Sequence, residues 1–289
     1  MKPILQTIST APESTLLIQT IHREQFSARW HYHPEYELVY IIKGSGTRFV
    51  GDHIDLFSSG DLVLLGPHLP HCWASADNAP TTDVSYVVIQ FGSNCLSKAF
   101  MHLPDMQHAT RFLQSSRRGY QITGKCYDNI KKYVLEIATA KGIKRLILLL
   151  QIMETLMSQA TLTPLASEQY HMPMNDHQSD RMAMICNYLR DHLCEPITQP
   201  EIAKIAGMTP TSFSRFFKQI TGKTFTTFLT TLRINEVCKQ LREQTDRPIT
   251  DIAFACGFDS LSTFNRQFQS IKKIPPRNYR TLGKSIDHG

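Results

Sequence analysis

Three imidazoles and a carboxylate in the first quarter of the chain are spaced so that they could bind a metal ion. His31, His33 and Glu37 have the same parity, so in an extended strand all three side chains point to one side. His71 follows an apolar, strand-like segment at 62–65, which brings a third imidazole to the end of a second strand. Nitrogen and oxygen ligands of this kind satisfy a first-row divalent ion and leave a coordination position open.

The residue types leave three interpretations of this His/Glu set open. The set holds a divalent metal (Zn, Ni, Mn or Fe), or the same side chains hydrogen-bond an organic ligand directly, or they satisfy one another. The second and third interpretations require no cofactor. Aromatic residues on or beside the same strands suit a pocket for a sugar or another small polar metabolite, and the candidates are Trp30, Tyr40 and Trp73.

Short strands with intervening turns are expected to position these side chains. Residues 37–42 and 84–91 are rich in apolar, β-branched and aromatic residues, and glycines at 44–46 mark a turn. Many short strands at regular spacing predict a small antiparallel barrel or sandwich over residues 1–120.

Helical periodicity replaces the strand pattern over residues 121–160. Apolar residues recur three and four positions apart on two segments separated by Gly142, which predicts a helical hairpin. The hairpin packs on the barrel or forms a dimer interface, and the sequence supports both. Residues 161–178 are polar, contain two prolines and have no periodicity, so they are predicted to be an interdomain linker. The predicted apolar stripe of the second helix is Ile143, Leu146, Ile147, Leu150, Met153 and Met157.

Residues 197–280 contain the same pattern twice, about fifty residues apart, within a helical domain predicted over 179–283. Each copy predicts a helix, a glycine turn and a second helix, which is the arrangement of a helix-turn-helix unit. In the first copy, Thr198 and Glu201 form a capping box. One helix over 224–241 connects the copies and spans about 27 Å, close to the roughly 34 Å between successive major-groove entries.

The second helix of each copy presents polar and cationic side chains opposite its apolar stripe. In the first copy this helix is predicted to begin at Pro210 and to bury Phe213, Phe217 and Ile220. Arginine binds guanine through two hydrogen bonds, and short hydroxyl side chains fit against the DNA backbone or thymine methyl groups. The predicted DNA-contacting residues are Thr211, Ser212, Ser214, Arg215, Lys218, Leu261, Ser262, Asn265 and Arg266.

The positive charge of the chain lies in this helical part. The 289 residues carry a formal net charge of +6. From residue 180 onward there are 16 Lys and Arg against 10 Asp and Glu, while the preceding residues are balanced. The surplus favours a polyanion as the partner of the two helix-turn-helix copies.

Composition argues against several other classes of protein. No run of about eighteen uncharged apolar residues is present, so we expect no transmembrane helix and no membrane partner. The N-terminus is not followed by the apolar core of a signal peptide. The seven cysteines are scattered and contain no C-x-x-C pair, so neither a disulfide framework nor a cysteine zinc site is indicated. We therefore expect free thiols in a cytoplasmic protein.

The region from about 180 to 280 resembles the DNA-binding domain of the AraC/XylS family of transcriptional regulators, whose two helix-turn-helix units are joined by a linker helix. The matching residues are Ile202-Ala203, Gly207, Phe213 to Lys218, Gly222, Arg233, Ile252-Ala253, Gly257-Phe258, Phe264, Arg266, Phe268 and the closing segment 275–280. The resemblance implies base contacts by the first turns of each second helix. Thr211 and Leu261 stand where family members often carry a large or amide side chain. The DNA sequences that those family members recognise therefore cannot be assigned to this chain.

The N-terminal half resembles the metal motif of the cupin barrel, and AraC-type regulators commonly carry a cupin-like sensor domain in this place. Gly66 and His68 depart from the family pattern in the second part of the motif. The implied fold is α+β and multidomain, with an N-terminal antiparallel β-barrel, a helical hairpin and a C-terminal all-α double helix-turn-helix. The matching positions are His31, His33, Glu37, Gly44, Gly60 and His71.

The expected function is that of a ligand-responsive, sequence-specific transcription regulator, not an enzyme. Its expected partners are double-stranded DNA, a small-molecule effector, a second copy of the chain in a homodimer, and RNA polymerase. A metal-dependent cupin enzyme fused to a DNA-binding module is the alternative from another class, and a ligand-independent DNA binder is a third. The choice between activation and repression stays open.

Overall fold

The computed structural model describes residues 15–26, 30–75, 84–92, 95–158, 161–168, 170, 176–243 and 246–284. The chain divides into two compact units, and the main boundary lies between Asp180 and Arg181. The first unit is rich in antiparallel strands and the second is helical, which confirms the predicted fold class.

The strands of the first unit form two sheets. The first sheet has six strands in the order β1-β7-β2-β5-β8-β9, and the second has three strands in the order β4-β3-β6. The neighbours in the six-stranded sheet are antiparallel. The strands are β1 (Leu16–Arg23), β2 (Tyr36–Lys43), β3 (Gly46–Val50), β4 (His53–Phe57), β5 (Leu62–Leu65), β6 (His71–Ser75), β7 (Val84–Phe91), β8 (Tyr120–Thr123) and β9 (Thr161–Pro164).

The central strand β2 is buried on both faces. Leu38 and Tyr40 belong to a core cluster that includes residues of the helical hairpin. Val39 belongs to a second cluster, together with Trp73 of the three-stranded sheet. Because successive side chains of a strand point to opposite faces, Glu37 shares the face of Val39 and points between the two sheets.

The helices of the first unit cover one face of the six-stranded sheet. The predicted hairpin is present, and its first helix buries Ile130, Val134 and Ile137 against that sheet, as the periodicity predicts. The helices are α1 (Lys98–Met101), α2 (Gln107–Ser115), α3 (Tyr127–Thr139) and α4 (Ile143–Ser158), with 3-10 turns at Pro104–Met106 and Ser116–Arg118.

The apolar stripe predicted on α4 is not the face that packs against the sheet. Of its six residues only Met153 is fully buried, whereas Ile143, Ile147 and Met157 are 75%, 44% and 38% exposed. Leucine and isoleucine occupy more than one face of this helix, so apolar spacing alone does not identify the face that meets the sheet. The buried face consists of Leu148, Leu149, Ile152, Met153 and Leu156.

The predicted linker starts too early and ends too late. Thr161–Pro164 pairs with β8 as strand β9, and Leu165 and Ala166 are buried in the core of the first unit. The Arg118 side chain also donates to the carbonyl oxygen of Ala166 at 2.7 Å. At the other end, α5 begins at Asp176, before the predicted boundary at 179. Residues 171–175 lie outside the described residues.

The second unit contains two helix-turn-helix copies and the helix between them. Thr198 caps α6 in the predicted capping box with Glu201, and Gly222 ends α7 in the left-handed conformation with φ 68°. The helices are α5 (Asp176–His192), α6 (Gln199–Ile205), α7 (Pro210–Thr221), α8 (Phe225–Glu243), α9 (Ile249–Ala255), α10 (Leu261–Lys272) and α11 (Pro276–Lys284). Of the helices in the described part of the chain, none has the length and apolar composition needed to cross a bilayer.

The connecting helix α8 contributes to both copies. Phe228 stacks edge-on against Phe217 of α7, with ring centroids 5.0 Å apart. Toward the other end of α8, Val237 and Leu241 belong to the core that holds Phe264 of α10. One continuous helix therefore fixes the second helix of each copy relative to the other, as the sequence predicted.

Candidate functional site

The structure brings the four predicted metal or effector ligands together between the two sheets. One ligand atom from each of His31, His33, Glu37 and His71 lies within 4.8 Å of the others. An isolated β-bridge aligns His31 with His71, with backbone N to O distances of 3.1 and 2.9 Å. Glu37 reaches the same point from β2. These residues form the His/Glu cluster.

The hydrogen bonding of His71 leaves one ring nitrogen available as a ligand. Its Nδ1 is 2.7 Å from the carbonyl oxygen of Leu69, so Nδ1 carries the proton and Nε2 carries a lone pair. Burial, followed by the charge of His31, lowers the pKa of His71 to about 3 and keeps the ring neutral. The buried Nε2 has no hydrogen-bond partner among the described residues. A ring with Nδ1 fixed by a backbone carbonyl and Nε2 free has the form of a metal-binding histidine.

His33 and Glu37 form a buried ion pair in the same cluster. His33 Nε2 is 2.8 Å from Glu37 Oε2, and His33 Nδ1 is 3.2 Å from the carbonyl oxygen of Glu35. Burial lowers the pKa of His33, but its hydrogen bond with Glu37 and the nearby carboxylates outweigh burial, so the net pKa is raised. For Glu37, burial raises the pKa, yet the His33 hydrogen bond and the three imidazoles bring it down to about 2. The carboxylate is therefore ionised.

Gln90 contacts this cluster, although it is not among the site residues predicted from the sequence. It lies opposite Glu37 in the pairing of β2 with β7. Its Nε2 donates to Glu37 Oε2 at 2.5 Å and lies 3.2 Å from His33 Nε2. A single amide inside an otherwise apolar, buried strand is the sequence signal that could have found it.

Of the predicted pocket aromatics, only Trp73 lies beside the cluster. Its ring centroid is 5.7 Å from that of His71, on the same face of β6. Trp30 packs against Phe49, which pairs with Cys72 and so occupies the opposite face of the three-stranded sheet. Tyr40 faces the helices, not the cluster. The assignments of Trp30 and Tyr40 to the pocket are therefore wrong.

A buried Arg48 extends the polar lining beyond Trp73. Arg48 lies opposite Trp73 in the pairing of β3 with β6 and forms an ion pair with Asp61. Gln121 also donates to Asp61, at 3.1 Å. Trp73 Nε1 and Arg48 Nε are buried donors that lack a hydrogen-bond partner among the described residues. Buried donors of this kind favour an acceptor supplied by a ligand or by water.

The predicted outward face of α7 is fully exposed. Phe213, Phe217 and Ile220 are buried as predicted, and Phe216 is buried in addition. Thr209 accepts a hydrogen bond from the backbone NH of Ser212 and caps the helix. The polar and cationic residues that remain accessible are Thr211, Ser212, Ser214, Arg215 and Lys218.

The corresponding face of α10 differs in one position. Ser262, Asn265 and Arg266 are exposed, as expected for DNA-contacting residues. Leu261 is half-buried and packs against the core around Phe264. Its predicted role as a DNA-contacting residue therefore competes with a role in the core, because its side chain is apolar and the core lies beside it.

Gln199 is a second residue that the sequence analysis missed. Its Nε2 donates to Ser214 Oγ at 2.7 Å, and Ser214 Oγ donates to the carbonyl oxygen of Pro210 at 2.9 Å. The hydroxyl hydrogen of Ser214 is thus used within the protein. Gln199, at the start of α6, stands beside the exposed face of α7 and offers a longer polar side chain there.

Comparisons with known proteins agree with this architecture. The AraC-like ligand binding domain family matches residues 12–110, and a helix-turn-helix domain family matches residues 202–281. The HTH-type transcriptional regulator YbfI of Bacillus subtilis is 26% identical over 232 residues, which cover 80% of this chain and 79% of the relative. YobQ of the same organism is 36% identical over 103 residues, which cover 36% of this chain and 42% of YobQ.

Solved structures of similar proteins include two regulators. An AraC-type transcriptional regulator from Chromobacterium violaceum is 27% identical, with 38% of this chain and 96% of the other covered and a TM-score of 0.35. ToxT from Vibrio cholerae is 12% identical, and the match covers 93% of this chain and 100% of ToxT with a TM-score of 0.38.

The two units and the two families that match them define a transcriptional regulator that combines a ligand-binding domain with a helix-turn-helix DNA-binding domain. In both of its matched parts the chain is similar to AraC-type transcriptional regulators.

Proposed function

We propose that α7 and α10 enter successive major grooves of one DNA face, and that an effector held between the sheets of the first unit controls this binding. The observation that carries the proposal is the exposed polar and cationic face on both helices, with α8 packed into the core of each copy. The 19 residues of α8 span roughly 28 Å, which suits adjacent grooves. The residues that approach the bases first are Arg215 and Arg266.

In vitro selection tests the DNA-binding part of this proposal. Full-length protein selects duplexes from a random-sequence pool, and enriched sequences are expected to contain two short motifs about one helical turn apart. Binding to an enriched duplex should fall steeply with salt, because lysine and arginine displace counterions from the phosphates. Failure to enrich any sequence over many rounds would reject the proposal.

We propose further that the His/Glu cluster holds a divalent metal ion. The donor set fits, because three imidazoles and an ionised carboxylate converge and His71 presents a free Nε2. When bound, the ion supplies a Lewis-acid centre for an oxygen atom of the effector. The protein residues would position it: the Leu69 carbonyl fixes His71, and Gln90 fixes Glu37. Zn, Ni, Mn and Fe are distinguished by metal analysis of untagged protein purified without chelator.

The lining next to the cluster favours a polar effector with acceptor oxygens. Trp73 Nε1 and Arg48 Nε are donors without a partner among the described residues, on the same face as His71. A sugar or another oxygen-rich small metabolite would satisfy them. The effector must bind one conformation of the regulator more tightly than another, because only a difference in affinity can change how much DNA is occupied.

A homodimer formed through α4 is part of the same proposal. Ile143, Ile147 and Met157 are large apolar side chains that the first unit leaves exposed on one helix. Leu135 of α3 is exposed as well. Two copies of this apolar patch would cover each other in a two-fold symmetric contact.

Other expectations remain predictions. RNA polymerase as a further partner and a cytoplasmic location are consistent with a DNA-binding regulator. The alternative of a metal-dependent cupin enzyme fused to a DNA-binding module can be tested directly. Metal-dependent turnover of a small molecule by the full chain would support it.

A further inference from the structure

Two cysteines from separate segments of the second unit lie side by side. Cys194 follows α5 in the loop that leads to α6, and Cys256 is the C-cap residue that immediately follows α9. Their side chains are in hydrogen-bonding contact. Cys194 is exposed, whereas Cys256 is completely buried. Reagents in solution can therefore reach the sulfur of Cys194, whereas the buried sulfur of Cys256 is accessible to Cys194 from within the protein.

Arg233 of α8 holds the two backbone segments together. Its guanidinium donates to the carbonyl oxygens of Leu193, Glu195 and Gly257 at 3.0, 2.6 and 2.7 Å. These carbonyls flank Cys194 on both sides and follow Cys256 directly. The backbone segments at Gly257 and Cys194 lie close together, because a Cβ atom added to Gly257 would be 2.9 Å from the carbonyl oxygen of Cys194. The backbone itself, and not a chance side-chain rotamer, places the two cysteines together.

The surroundings assign different roles to the two sulfurs. Burial lowers the pKa of Arg233, and the nearby Asp259, Cys194 and Cys256 counteract this, which places the guanidinium close to both sulfurs. A neighbouring cation favours the thiolate form of cysteine, which is the nucleophile. The pKa of Cys256 is raised, first by its hydrogen bond with Cys194 and then by burial. Cys194, exposed and beside Arg233, is therefore the sulfur that reacts first.

We propose that Cys194 and Cys256 are a redox modification site that forms a reversible disulfide inside the DNA-binding unit. The oxidant is a low-molecular-weight disulfide. The Cys194 thiolate attacks one of its sulfurs, and the first small thiolate leaves and takes up a proton. The Cys256 sulfur then attacks Cys194 Sγ, gives its proton to solvent and expels the second small thiolate. Two protein thiols are oxidised, and one small disulfide is reduced to two thiols.

The new bond changes the second helix-turn-helix copy. A sulfur–sulfur bond of about 2.05 Å replaces a longer hydrogen-bonding contact, so the end of α9 moves toward the loop after α5. Gly257 and Phe258 connect that end to Ser260, which caps α10. We expect this displacement to tilt α10 and to weaken binding to a specific duplex by roughly tenfold, the scale of one lost interaction.

Peptide mapping tests the disulfide without reference to DNA. Full-length protein is equilibrated with mixtures of reduced and oxidised glutathione, the remaining thiols are alkylated, and the digest is analysed by mass spectrometry. The expected product links the peptides that contain Cys194 and Cys256, and it should be absent from Cys194→Ser but present in the matched Cys95→Ser control. Absence of this product, or equal pairing of Cys194 with other cysteines, would overturn the proposal. Cys194 is exposed, so its substitution should leave the fold intact.

Binding of the in vitro selected duplex then tests the consequence. Oxidised protein should bind about tenfold more weakly than reduced protein, and dithiothreitol should restore binding. Cys194→Ser should show no difference between the two conditions. Equal affinity of fully cross-linked and reduced protein would reject the regulatory role. If no duplex is selected at all, the DNA-binding proposal fails, while the peptide map still decides the disulfide.

Discussion

Gln90 lies directly opposite Glu37 in the antiparallel pairing of β7 with β2, and its side-chain nitrogen is 2.5 Å from Glu37 Oε2. His33 Nε2 lies 2.8 Å from the same carboxylate oxygen and 3.2 Å from the Gln90 nitrogen. Both contacts leave Glu37 Oε1 directed toward His71 Nε2, 3.6 Å away. The sheet register therefore fixes the orientation of the one carboxylate that the His/Glu cluster contributes to a metal or effector.

Replacement of Gln90 by alanine should weaken metal binding without removing a ligand. The amide orients Glu37, and loss of such an outer contact typically lowers metal affinity by about 10- to 100-fold. Calorimetric titration of the full chain with Zn²⁺ and Ni²⁺ measures the change. Gln114→Ala, an exposed glutamine on α2, is the matched control and should bind like the parent protein. Equal affinities for the two variants would show that Gln90 does not act on the cluster.

Replacement of His71 by alanine should abolish stoichiometric metal binding. This change removes an imidazole whose buried Nε2 has no hydrogen-bond partner among the described residues and whose Nδ1 is fixed by the Leu69 carbonyl. Elemental analysis of variant and parent, purified side by side, gives the metal content. His102→Ala, at an exposed histidine outside the cluster, should keep the parent content. Metal retained in full by the His71 variant would rule out the proposed ligand set.

The sequence predicts the second unit better than the first, because its signals are local. The capping box of Thr198 and Glu201, the cap and proline at the start of α7 and the phenylalanine spacing each depend on residues within a few positions. The structure places α7 and α10 as predicted. Leu261 is the exception, since its burial depends on the neighbouring core and not on the helix itself.

The first unit shows where sequence reasoning fails. Strand β9 lies in the segment that the sequence predicts to be a linker, because four residues near a proline form a strand only when β8 is available to pair with them. On α4 more than one face is apolar, so periodicity alone does not distinguish the face that packs on the sheet from the exposed one. Tyr40 differs in parity from Glu37, and that rule alone would have removed it from the pocket. The histidine positions were predictable because parity and strand order determine them.

Phe217→Ala should destabilise the second unit strongly. Phe217 is completely buried and contacts the rings of Phe213, Phe225 and Phe228. Large-to-small changes of this kind cost about 3 to 5 kcal/mol, because transfer energy is lost and a cavity remains. Urea unfolding followed by circular dichroism measures the free energy of unfolding. Phe254→Ala, at a phenylalanine that is 50% exposed, should cost much less, and similar losses for both would contradict the burial.

Ile147→Asp should dissociate the proposed homodimer. The charge would lie at the centre of the exposed apolar patch on α4, where a second copy would bury it without a partner. Sedimentation velocity across a range of protein concentrations distinguishes monomer from dimer. Leu103→Asp places the same charge at an exposed leucine of the first unit outside this patch and should leave the assembly unchanged. A dimer that survives the Ile147 change would have to use another surface.

Simultaneous reading of two grooves by α7 and α10 is tested most directly by hydroxyl-radical footprinting of an in vitro selected duplex. We expect two protected segments about ten base pairs apart on one face of the DNA. Arg215→Ala and Arg266→Ala should each weaken protection of a different segment, at a cost of about 1 to 3 kcal/mol, whereas the exposed Arg111→Ala control in the first unit should not. A single protected segment, or protection that neither arginine variant changes, would contradict binding of α7 and α10 in two successive grooves.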